Sequence, residues 1–568
     1  MSEKELTGYP SIDKPWLAFY EQALEEKDIP KCSAYHMLYE NNRNYPDDIA
    51  LIYFNRKIRF RELFNQIHQA ASSLKALGIG KGDIVTLQVL NMPQTVVLFY
   101  AISYIGAVAN IIYITAGEKE LHDILCNTES KMYITIDSLW LKQKGAIENT
   151  RIQNVLLLRA GQEADVITKT VLNIRGKAVK NPECLSWKSF LARGKETPQE
   201  VNAPDLPVAM VYTSGTTGKA KAVVLSNKCM NSLVLQYSYT HVSLKRGGAF
   251  MNSLPPFIAF GIVCAMHMPL CLGITDILIL DPTSMNAGKY FAKYKPNYFV
   301  NGQISIESIM KYPKIQKMNL EFIDVLAAGG QALSISFEDS VNTFLREHQS
   351  DVTLSIGYGM TEVAATVVTS TPKVSRMGTV GIPLPGTIIK IVEPGTTKEL
   401  SYNTDGEICF NAPTMMLGYY KQEEETKNII RLHEDGLKWV HSGDIGRISD
   451  DGFLTVVGRI KRIVDIRENG IYHKVFPKLI EDEIEKTEGI IAVAIVGRKK
   501  PIIENELIAF IVKEANSNED QIIHMAKKLA AEKLESWERP VEYRFIEELP
   551  RTTVGKVDYR KLEQIVNE

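Results

Sequence analysis

The sequence predicts an α/β fold, in which a large N-terminal multi-layer α/β domain with mostly parallel sheets precedes a small, mobile C-terminal α+β domain. Short apolar runs alternate with stretches whose apolar residues recur at helical spacing, and this alternation is typical of layered α/β proteins. The pattern changes after about residue 458, where charges become dense. A chain of 568 residues is long enough for more than one domain. We therefore predict domains over residues 1–458 and 459–568.

The first domain begins with a clear helix and then several strands. The stretch from Phe60 to Leu77 has apolar residues at helical spacing, and Gly78 is a natural helix stop. Short apolar runs of the kind found in buried strands follow, and they are I-V-T-L-Q-V-L from Ile84, M-Y-I-T-I from Met132 and N-V-L-L-L from Asn154.

Two longer apolar stretches are long enough to span a membrane, and they cover Val96–Thr115 and Phe257–Leu280. Glycine interrupts each of them, and the second also contains His267, Pro269 and Asp276. These breaks suit a lipid-facing helix poorly. We predict a buried helix, a turn and a buried strand in each stretch, and no membrane span.

Composition is that of an ordinary soluble protein, with 45% apolar and 23% charged residues. Lys and Arg number 65 against 67 Asp and Glu, so the net charge of −2 does not call for a nucleic-acid partner. Seven scattered cysteines without a C-x-x-C pattern indicate a reducing compartment. Because the N-terminus is polar and lacks a signal-peptide core, we expect a cytoplasmic protein. The sequence does not indicate its oligomeric state.

The predicted C-terminal domain starts with the charged stretch R-I-K-R-I-V-D-I-R-E-N-G from Arg459. Its further elements make a unit of common domain size. They are a helix from Lys478, strands from Ile490 and Glu506, and a helix from Asn518 to Leu534.

Two distant motifs carry the chemistry: Y-T-S-G-T-T-G-K-A-K from Tyr212 and P-R-T-T-V-G-K-V-D-Y from Pro550. Backbone N–H groups and hydroxyls of the first could wrap a polyphosphate, although a polar surface loop has similar composition. Its glycine spacing and the absence of Ser or Thr after its first lysine do not fit a Walker A loop. The second motif presents Lys556 on a turn. Together they indicate an enzyme that activates a substrate with ATP and closes a second domain.

Further motifs follow in a fixed order, and the whole series resembles the adenylate-forming superfamily of acyl-CoA synthetases, peptide-synthetase adenylation domains and luciferases. The resemblance extends from about residue 30 to 562. The added motifs are A-A-G-G-Q-A-L from Ala327, G-Y-G-M-T-E from Gly357, D-G-E-I-C from Asp405, H-S-G-D-I-G from His441 and D-G-F-L-T-V-V-G-R-I-K from Asp451.

The resemblance implies a nucleotide site drawn from several of these motifs. The first loop would hold the β- and γ-phosphates, and the later motifs would surround the remainder of ATP. The implied residues are Thr213, Ser214, Gly215, Thr216, Thr217, Gly218, Lys219, Lys221, Gly330, Gln331, Ala332, Tyr358, Gly359, Met360, Asp444 and Arg459.

Individual roles follow from the same resemblance, and each suits the residue's chemistry. Tyr358 would lie against adenine, and Asp444 would accept both ribose hydroxyls, since a carboxylate has lone pairs for two donors. Thr361 would bond the α-phosphate, and Glu362 would hold Mg²⁺, a cation that prefers oxygen ligands. Arg459 would contact ribose or phosphate. Taken alone, the tyrosine could be a core residue, the glutamate a helix start and the aspartate a turn residue.

Two lysines are assigned to domain closure by the resemblance. Lys556 would bridge the substrate carboxylate and the α-phosphate, which lowers the repulsion between two anions in the transition state. Lys461 falls at the hinge position. The simpler alternative for Lys556 is a solvated terminal lysine.

The acyl pocket is implied near P-P-F-I-A-F-G, which starts at Pro255, and Ile258 stands there where many acyl-CoA synthetases carry a ring. No aspartate follows Phe257, which argues against recognition of an α-amino group. We therefore expect a fatty or aromatic acid, with aliphatic acids favoured. The predicted pocket residues are Phe257, Ile258, Ala259, Phe260, Gly302 and Gly329.

The resemblance implies an acid–thiol ligase that uses ATP and Mg²⁺ to form an acyl-adenylate and then transfers the acyl group to CoA. An enzyme that loads the phosphopantetheine thiol of an acyl carrier protein is the main alternative. A luciferase-like oxygenase would share the same motifs. A non-catalytic nucleotide-binding protein is a further alternative, but it should lack catalytic groups, whereas Glu362, Asp444 and Lys556 are all present.

Overall fold

The computed structural model of the chain describes residues 6–165, 168, 170, 181–213, 220–281, 284–331, 333–468, 471–499, 505–551 and 557–568. Strands are numbered below in chain order. The described elements form layered α/β sheets followed by a smaller α+β unit, which confirms the predicted fold class.

One mostly parallel sheet contains the strands that were predicted from Ile84, Met132 and Asn154, and all three are confirmed. Only its first strand pairs are antiparallel. Its strand order is β19 (Gly418–Tyr419), β9 (Lys221–Ser226), β8 (Pro207–Thr213), β4 (Val108–Ile111), β3 (Ile84–Gln88), β5 (Met132–Ile136), β6 (Asn154–Leu158) and β7 (Leu185–Ser186).

A second mostly parallel sheet carries the G-Y-G-M-T-E motif at the end of one strand. Antiparallel strands lie at both of its edges. Its order is β16 (Ile382–Pro383), β15 (Val368–Thr369), β14 (Ser355–Tyr358), β13 (Val325–Gly329), β12 (Tyr298–Asn301), β10 (Ala249–Asn252), β11 (Thr275–Leu278), β1 (Ile49–Tyr53) and β2 (Arg56–Arg59).

Helices cover these sheets, and the predicted helix from Phe60 is confirmed as Phe60–Ala76. Buried residues of this helix, such as Leu63, share one apolar core with Leu51 of β1 and Val85 of β3, so the core continues from one sheet to the other. The α-helices of the large unit are Pro10–Asp13, Ala34–Asn42, Phe60–Ala76, Pro93–Tyr104, Glu118–Thr128, Asp137–Trp140, Trp187–Leu191, Asn227–Ser238, Met268–Cys271, Ala287–Tyr294, Gln303–Met310, Ile335–Glu347 and Glu423–Ile429.

An antiparallel sheet lies beside the end of β14 and brings the H-S-G-D-I-G motif to it. It contains the longest strand described in the structure, and that strand pairs on both sides. The strands are β17 (Ile388–Val392), β18 (Gly406–Asn411), β21 (Lys438–Ile448) and β20 (Ile430–Leu432), with β22 (Leu454–Arg459) paired to β21.

The C-terminal part forms an α+β unit with its own apolar core, which includes Ile480, Ile495 and Ile511. The predicted boundary near Gly458 to Lys461 stays a prediction. The strands are β23 (Val464–Glu468), β24 (Ile471–Val475), β25 (Ile490–Lys499), β26 (Asn505–Lys513) and β27 (Glu542–Phe545), and the helices are Pro477–Ile484, Glu519–Lys533 and Tyr559–Asn567.

A segment near the N-terminus is fastened to residues that lie much later in the chain. Ser11 donates to Glu399 through both its backbone N–H and its hydroxyl, at 3.1 and 2.7 Å. The buried Trp16 packs in a cluster with Leu454, and a Cβ on Gly452 would lie 2.7 Å from the backbone nitrogen of Trp16. This segment therefore closes one side of the antiparallel sheet.

Both long apolar stretches fold as helix and strand. The first contains the buried helix Pro93–Tyr104 and β4. The second contains Phe260–His267, which is a π-helix rather than the α-helix that an apolar run suggests, followed by β11. Within the described residues, no helix combines the length and apolarity that crossing a membrane requires.

A tight turn precedes the π-helix, because the N–H groups of Gly261 and Ile262 both donate to the carbonyl of Ile258, at 3.0 Å. A Cβ on Gly261 would lie 1.9 Å from the carbonyl oxygen of Pro255, which is backbone and has no freedom to turn away. The P-P-F-I-A-F-G motif therefore depends on glycine at its last position.

We predict that Gly261→Ala lowers the free energy of unfolding by about 1–3 kcal/mol, the usual cost of overpacking. Chemical denaturation of the unliganded protein measures this change. Gly458→Ala is the matched control, since its Cβ would meet only the Cβ of Lys478 at 3.9 Å. Equal stability of the two variants would contradict the packing argument.

Candidate functional site

The candidate site forms where β14 of the parallel sheet meets β21 and β22 of the antiparallel sheet. The hydroxyl of Tyr358 donates to Oδ2 of Asp444 at 2.7 Å. Arg459 is the cross-strand partner of Asp444, and its Nε lies 2.9 Å from Oδ1 of the same carboxylate. The structure thus brings together three residues that the sequence predicts in one nucleotide site.

Burial and electrostatics keep Tyr358 as the donor of this hydrogen bond. Burial first, and then the negative charge of Asp444, raise the pKa of Tyr358 well above its ordinary value, so the phenol stays a neutral donor. The Asp444 side chain is 9% exposed, whereas that of Arg459 is 60% exposed. Arg459 is therefore the partner that can leave the carboxylate more easily.

These contacts differ from the simplest expectation for Asp444. The resemblance implies that both carboxylate oxygens accept ribose hydroxyls, but here Oδ1 already forms an ion pair with Arg459 and Oδ2 accepts from Tyr358. Because a carboxylate oxygen has more than one lone pair, a further donor can bind beside Tyr358. Access to Oδ1 depends on the position of Arg459.

The chain turns sharply after Tyr358. A Cβ on Gly359 would lie 2.0 Å from the carbonyl oxygen of Ala365, so only glycine fits there. Met360 precedes a 3₁₀ helix, Thr361–Val363, that presents the predicted Thr361 and Glu362. Ala364 and Ala365 follow with φ of 55° and 99°, a left-handed conformation that is unusual for two successive residues other than glycine. Such strained turns are concentrated at functional sites.

Glu362 has a buried carboxylate, and its side-chain hydrogen bond among the described residues comes from Tyr419. The hydroxyl of Tyr419 donates to its Oε1 at 2.6 Å. Burial raises the pKa of Glu362, while the bond from Tyr419 and the charges of Arg459 and Lys221 act in the opposite direction. Within the described part of the chain, the carboxylate therefore keeps oxygen lone pairs available, and carboxylate oxygens are the ligands that a hard cation such as Mg²⁺ prefers.

Strand pairing explains why Lys221 lies near Glu362. Thr213 on β8 pairs with Lys221 on β9, and β9 also pairs with β19, which carries Tyr419. The Lys221 ammonium lies 5.0 Å from the centre of the Tyr419 ring and pairs with Glu425. The segment that follows Thr213 therefore ends at Lys221, whose charge acts on the buried Glu362. Its predicted residues Ser214, Gly215, Thr216, Thr217, Gly218 and Lys219 lie outside the described residues.

Several residues of the predicted acyl pocket lie near the ends of β13 and β14. Gly329 pairs with Gly357, and a Cβ on Gly329 would lie 3.5 Å from Cζ of Phe260. Ile258 and Phe260 pack against the same buried cluster. The structure thus brings Phe260 to Gly329 and places Ile258 beside the same apolar wall.

The remaining predicted pocket and nucleotide residues have separate surroundings. Ala259 is buried, and Phe257 packs against the large core. Gly302 caps the helix Gln303–Met310, and a Cβ there would meet open space. Gly330 has a φ of 84°, and Gln331 donates to Gln303 at 3.3 Å. Ala332 lies outside the described residues.

Lys461 is exposed and lies between two arginines, of which one contacts the large unit and the other the C-terminal unit. Arg459 contacts Asp444 of the large unit, as described above. Arg462 contacts Glu481 of the C-terminal unit at 2.6 Å, and its guanidinium lies 3.4 Å from the centre of the Tyr559 ring. The short segment around Lys461 thus connects two anchored ends. Lys556 lies outside the described residues, between Arg551 and Val557, which pair with each other.

Tyr419 is a site residue that the sequence analysis missed. It lies 57 positions from Glu362, and nothing in the local pattern indicates which distant carboxylate it contacts. The one available signal is the G-Y pair that follows the D-G-E-I-C strand.

Comparison with protein families gives a match along most of the chain. The model of AMP-binding enzymes matches residues 38–420, and the model of their C-terminal domain matches residues 479–556. Among curated proteins, a long-chain-fatty-acid–CoA ligase of Salmonella typhimurium is 27% identical over 537 residues, which cover 91% of this chain and 92% of that protein. A 4-coumarate–CoA ligase of Oryza sativa is 25% identical, with 96% of this chain and 94% of that protein covered.

Solved structures share the fold. An anthranilate CoA ligase in complex with anthranoyl-AMP has a TM-score of 0.82 at 20% identity, covering 96% of this chain and 99% of the other. ATP-bound MatB of Rhodopseudomonas palustris has a TM-score of 0.80 at 22% identity, covering 94% and 99%.

We predict that Glu362→Gln stabilises the unliganded protein at neutral pH. Burial raises the folded-state pKa of this carboxyl above its ordinary 4.5. The stability linked to its proton is therefore present below that value and is lost as the pH rises through the raised pKa. Glutamine removes this loss while its carbonyl can still accept from Tyr419.

Thermal unfolding across pH tests this prediction, with a higher Tm for the variant at pH 8 and equal values below pH 4.5. Glu425→Gln is the control, because its side chain is 41% exposed and its charge is paired with Lys221. A Glu362→Gln protein that is less stable than the parent at pH 8 would show that the ionised carboxylate is stabilising.

Proposed function

Because this chain belongs to the family of AMP-binding enzymes, we propose that it is an acid–thiol ligase that activates a carboxylic acid with ATP and transfers the acyl group to CoA. The acid first attacks the α-phosphate of ATP, which forms an acyl-adenylate and releases pyrophosphate. The thiol of CoA then displaces AMP and gives the thioester.

The convergence of Tyr358, Asp444 and Glu362 on one edge carries this proposal. The hydroxyl of Tyr358 binds Asp444, and four residues later the buried Glu362 lies beside Lys221 at the end of the glycine-rich loop. A neutral aromatic ring, a carboxylate and a loop that ends in a lysine match the base, ribose and phosphates of ATP in turn.

Each group has a chemical task in the first step. Tyr358 would lie against adenine, Asp444 would accept from the ribose, and Thr361 would donate to the α-phosphate. Glu362 would hold Mg²⁺, which when bound supplies positive charge next to the phosphate oxygens. Arg459 would leave Asp444 when the ribose arrives and would then be free to contact a phosphate.

Two lysines would act at different stages of the reaction, one in adenylation and the other in the domain rotation before thiol transfer. Lys556 would lie between the acid and the α-phosphate during adenylation, an assignment that rests on the P-R-T-T-V-G-K motif. Rotation at Lys461 would then move the C-terminal unit for thiol transfer. The anchored arginines on either side of Lys461 support this assignment.

A fatty acid is the favoured substrate, and an aromatic acid is the second choice. Ile258 and Phe260 line one apolar cluster beside Gly329, and no carboxylate follows Phe257 to pair with an ammonium group. Burying an unpaired ammonium would be costly. The fatty-acid ligases among the relatives support the same choice.

Exchange of labelled pyrophosphate into ATP, measured over a panel of carboxylic acids, tests the proposed activity. We expect exchange with medium- or long-chain fatty acids, a thioester when CoA is added, and nearly complete loss of exchange in Lys556→Ala. The same variant should still convert pre-formed acyl-adenylate to thioester. Best turnover with free α-amino acids would contradict the substrate class. A thioester on an acyl carrier protein but not on CoA would correct the acceptor.

We predict that Lys461→Pro preserves adenylation but slows thioester formation by at least about tenfold. Proline fixes φ and so prevents the rotation that a hinge residue needs. Pyrophosphate exchange measures the first step and single-turnover thioester formation measures the second. Lys461→Ala, which removes the charge but leaves rotation free, should retain both rates. Equal loss of both steps in the proline variant would exclude Lys461 as the hinge.

We predict that Ile258→Ala shifts the substrate preference toward bulkier acids. The smaller side chain opens the apolar wall beside Phe260, and a gain or loss of one methylene in such a pocket changes specificity by roughly 10–200-fold. The ratio of kcat/KM for a branched or aromatic acid to that for a straight-chain acid measures the shift. An unchanged ratio would remove Ile258 from the pocket.

A further inference from the structure

A second group of reactive side chains lies buried in the antiparallel sheet and is not part of the candidate site. It consists of the Cys409 thiol and the imidazoles of His433 and His441, whose potential ligand atoms all lie within 4.8 Å of one another. We propose that these three residues form a binding site for Zn²⁺. The proposal does not depend on the ligase activity.

Strand pairing creates the cluster. Cys409 on β18 lies directly opposite His441 on β21. His433 follows β20, and its backbone N–H donates to Leu437 across the β20–β21 hairpin at 3.0 Å. Three ligands of the types that zinc prefers, one thiolate and two imidazoles, thus come from three adjacent strands or strand ends.

One ring nitrogen of the two histidines has no hydrogen-bond partner among the described residues. His441 Nδ1 lies 3.0 Å from Oε2 of Glu407, and this contact assigns the proton to Nδ1 and the lone pair to Nε2. His433 Nε2 then donates to His441 Nε2 at 2.9 Å. His433 Nδ1 is buried and, among the described residues, has no hydrogen-bond partner. An ion between the two rings would replace the contact between the two Nε2 atoms, and Nδ1 of His433 would carry the proton.

The positions of the rings also suit a metal ion. Their centres are 5.1 Å apart. Two imidazoles that share a tetrahedral zinc ion, with Zn–N bonds of about 2.0–2.1 Å, have ring centres roughly 5 Å apart. An ion between the Nε2 atoms would therefore require changes in the side-chain torsions of the two histidines rather than a new position of either strand.

Proton release would accompany zinc binding. Zinc would convert the Cys409 thiol to a thiolate, and His433 would carry its own proton on Nδ1, so that one proton leaves the cluster. The thiolate and the Glu407 carboxylate, whose Oε2 lies 3.0 Å from His441 Nδ1, would then be two anions near the cation.

Glu407 would act as a positioning residue. A carboxylate that accepts from the second nitrogen of a metal-bound histidine fixes the orientation of the ring. Its other oxygen accepts from the N–H of Gly443 at 3.2 Å, and Gly443 immediately precedes Asp444. The zinc site would in this way reinforce the strand that presents Asp444.

Cobalt is a suitable probe because Co²⁺ bound by a thiolate absorbs in the near ultraviolet. The full-length protein is freed of metal with a chelator under reducing conditions and titrated with Co²⁺. We expect one equivalent to produce the thiolate charge-transfer band, and one equivalent of Zn²⁺ to abolish it. Cys409→Ser should lose the band.

Cys126→Ser is the matched control, because Cys126 is exposed and lies 3.5 Å from His122 in another Cys–His pair. It should retain the band. Loss of the band in Cys126→Ser but not in Cys409→Ser would overturn the assignment. Native mass spectrometry of the unaltered protein after addition of one equivalent of Zn²⁺ needs no variant, and a spectrum without bound zinc would likewise overturn it.

The role of Glu407 has a separate measure. Glu407→Gln should weaken Zn²⁺ binding by about 10–100-fold, as is usual for the partner of a ligating histidine, while the cobalt band remains. Competition with a chelator of known affinity gives the dissociation constant. An unchanged constant would exclude a positioning role for Glu407.

Discussion

The carboxylate of Asp444 joins three parts of the molecule that are otherwise built separately. Its Oδ2 accepts from Tyr358 at the end of a parallel strand, and its Oδ1 faces Arg459 at the start of the C-terminal unit. The carboxylate itself lies on the long antiparallel strand β21. The Arg459 side chain is exposed, whereas the hydrogen bond between Tyr358 and Asp444 is partly buried. Arg459 is therefore the partner of Asp444 that can be exchanged more easily. The proposed nucleotide site and the proposed hinge therefore meet at the same carboxylate.

Local patterns predicted much of the fold, and tertiary contacts account for the remainder. The helix Phe60–Ala76 and strands β3, β5 and β6 follow from apolar periodicity, which acts within a few residues. The π-helix Phe260–His267 has the same apolar composition as an α-helix, so composition could not reveal it. The contact of Tyr419 with Glu362 depends on β9 lying between two other strands, and the pairing of Arg459 with Asp444 depends on register.

In the candidate site, too, local patterns reveal some residues and tertiary contacts determine the others. Glycine-rich and acidic motifs can be identified from sequence because their chemistry requires particular residue types. The partners that tune them cannot, since the burial that raises the pKa of Glu362 comes from the complete fold. Sequence could therefore suggest Asp444 as a candidate ribose ligand, but it could not show that Arg459 contacts the same carboxylate.

The fastening of the N-terminal segment has a consequence for biosynthesis. Ser11 and its partner Glu399 are 388 positions apart, and Trp16 packs against Gly452 and Leu454. At translation rates of about 5–20 residues per second, the ribosome needs roughly 20–80 s to make the partner of Ser11 after Ser11 itself. During that interval the Trp16 side chain lacks the cluster that buries it in the finished protein. The antiparallel sheet can close around this tryptophan only when most of the chain has been translated, which makes an early segment one of the last to reach its native position.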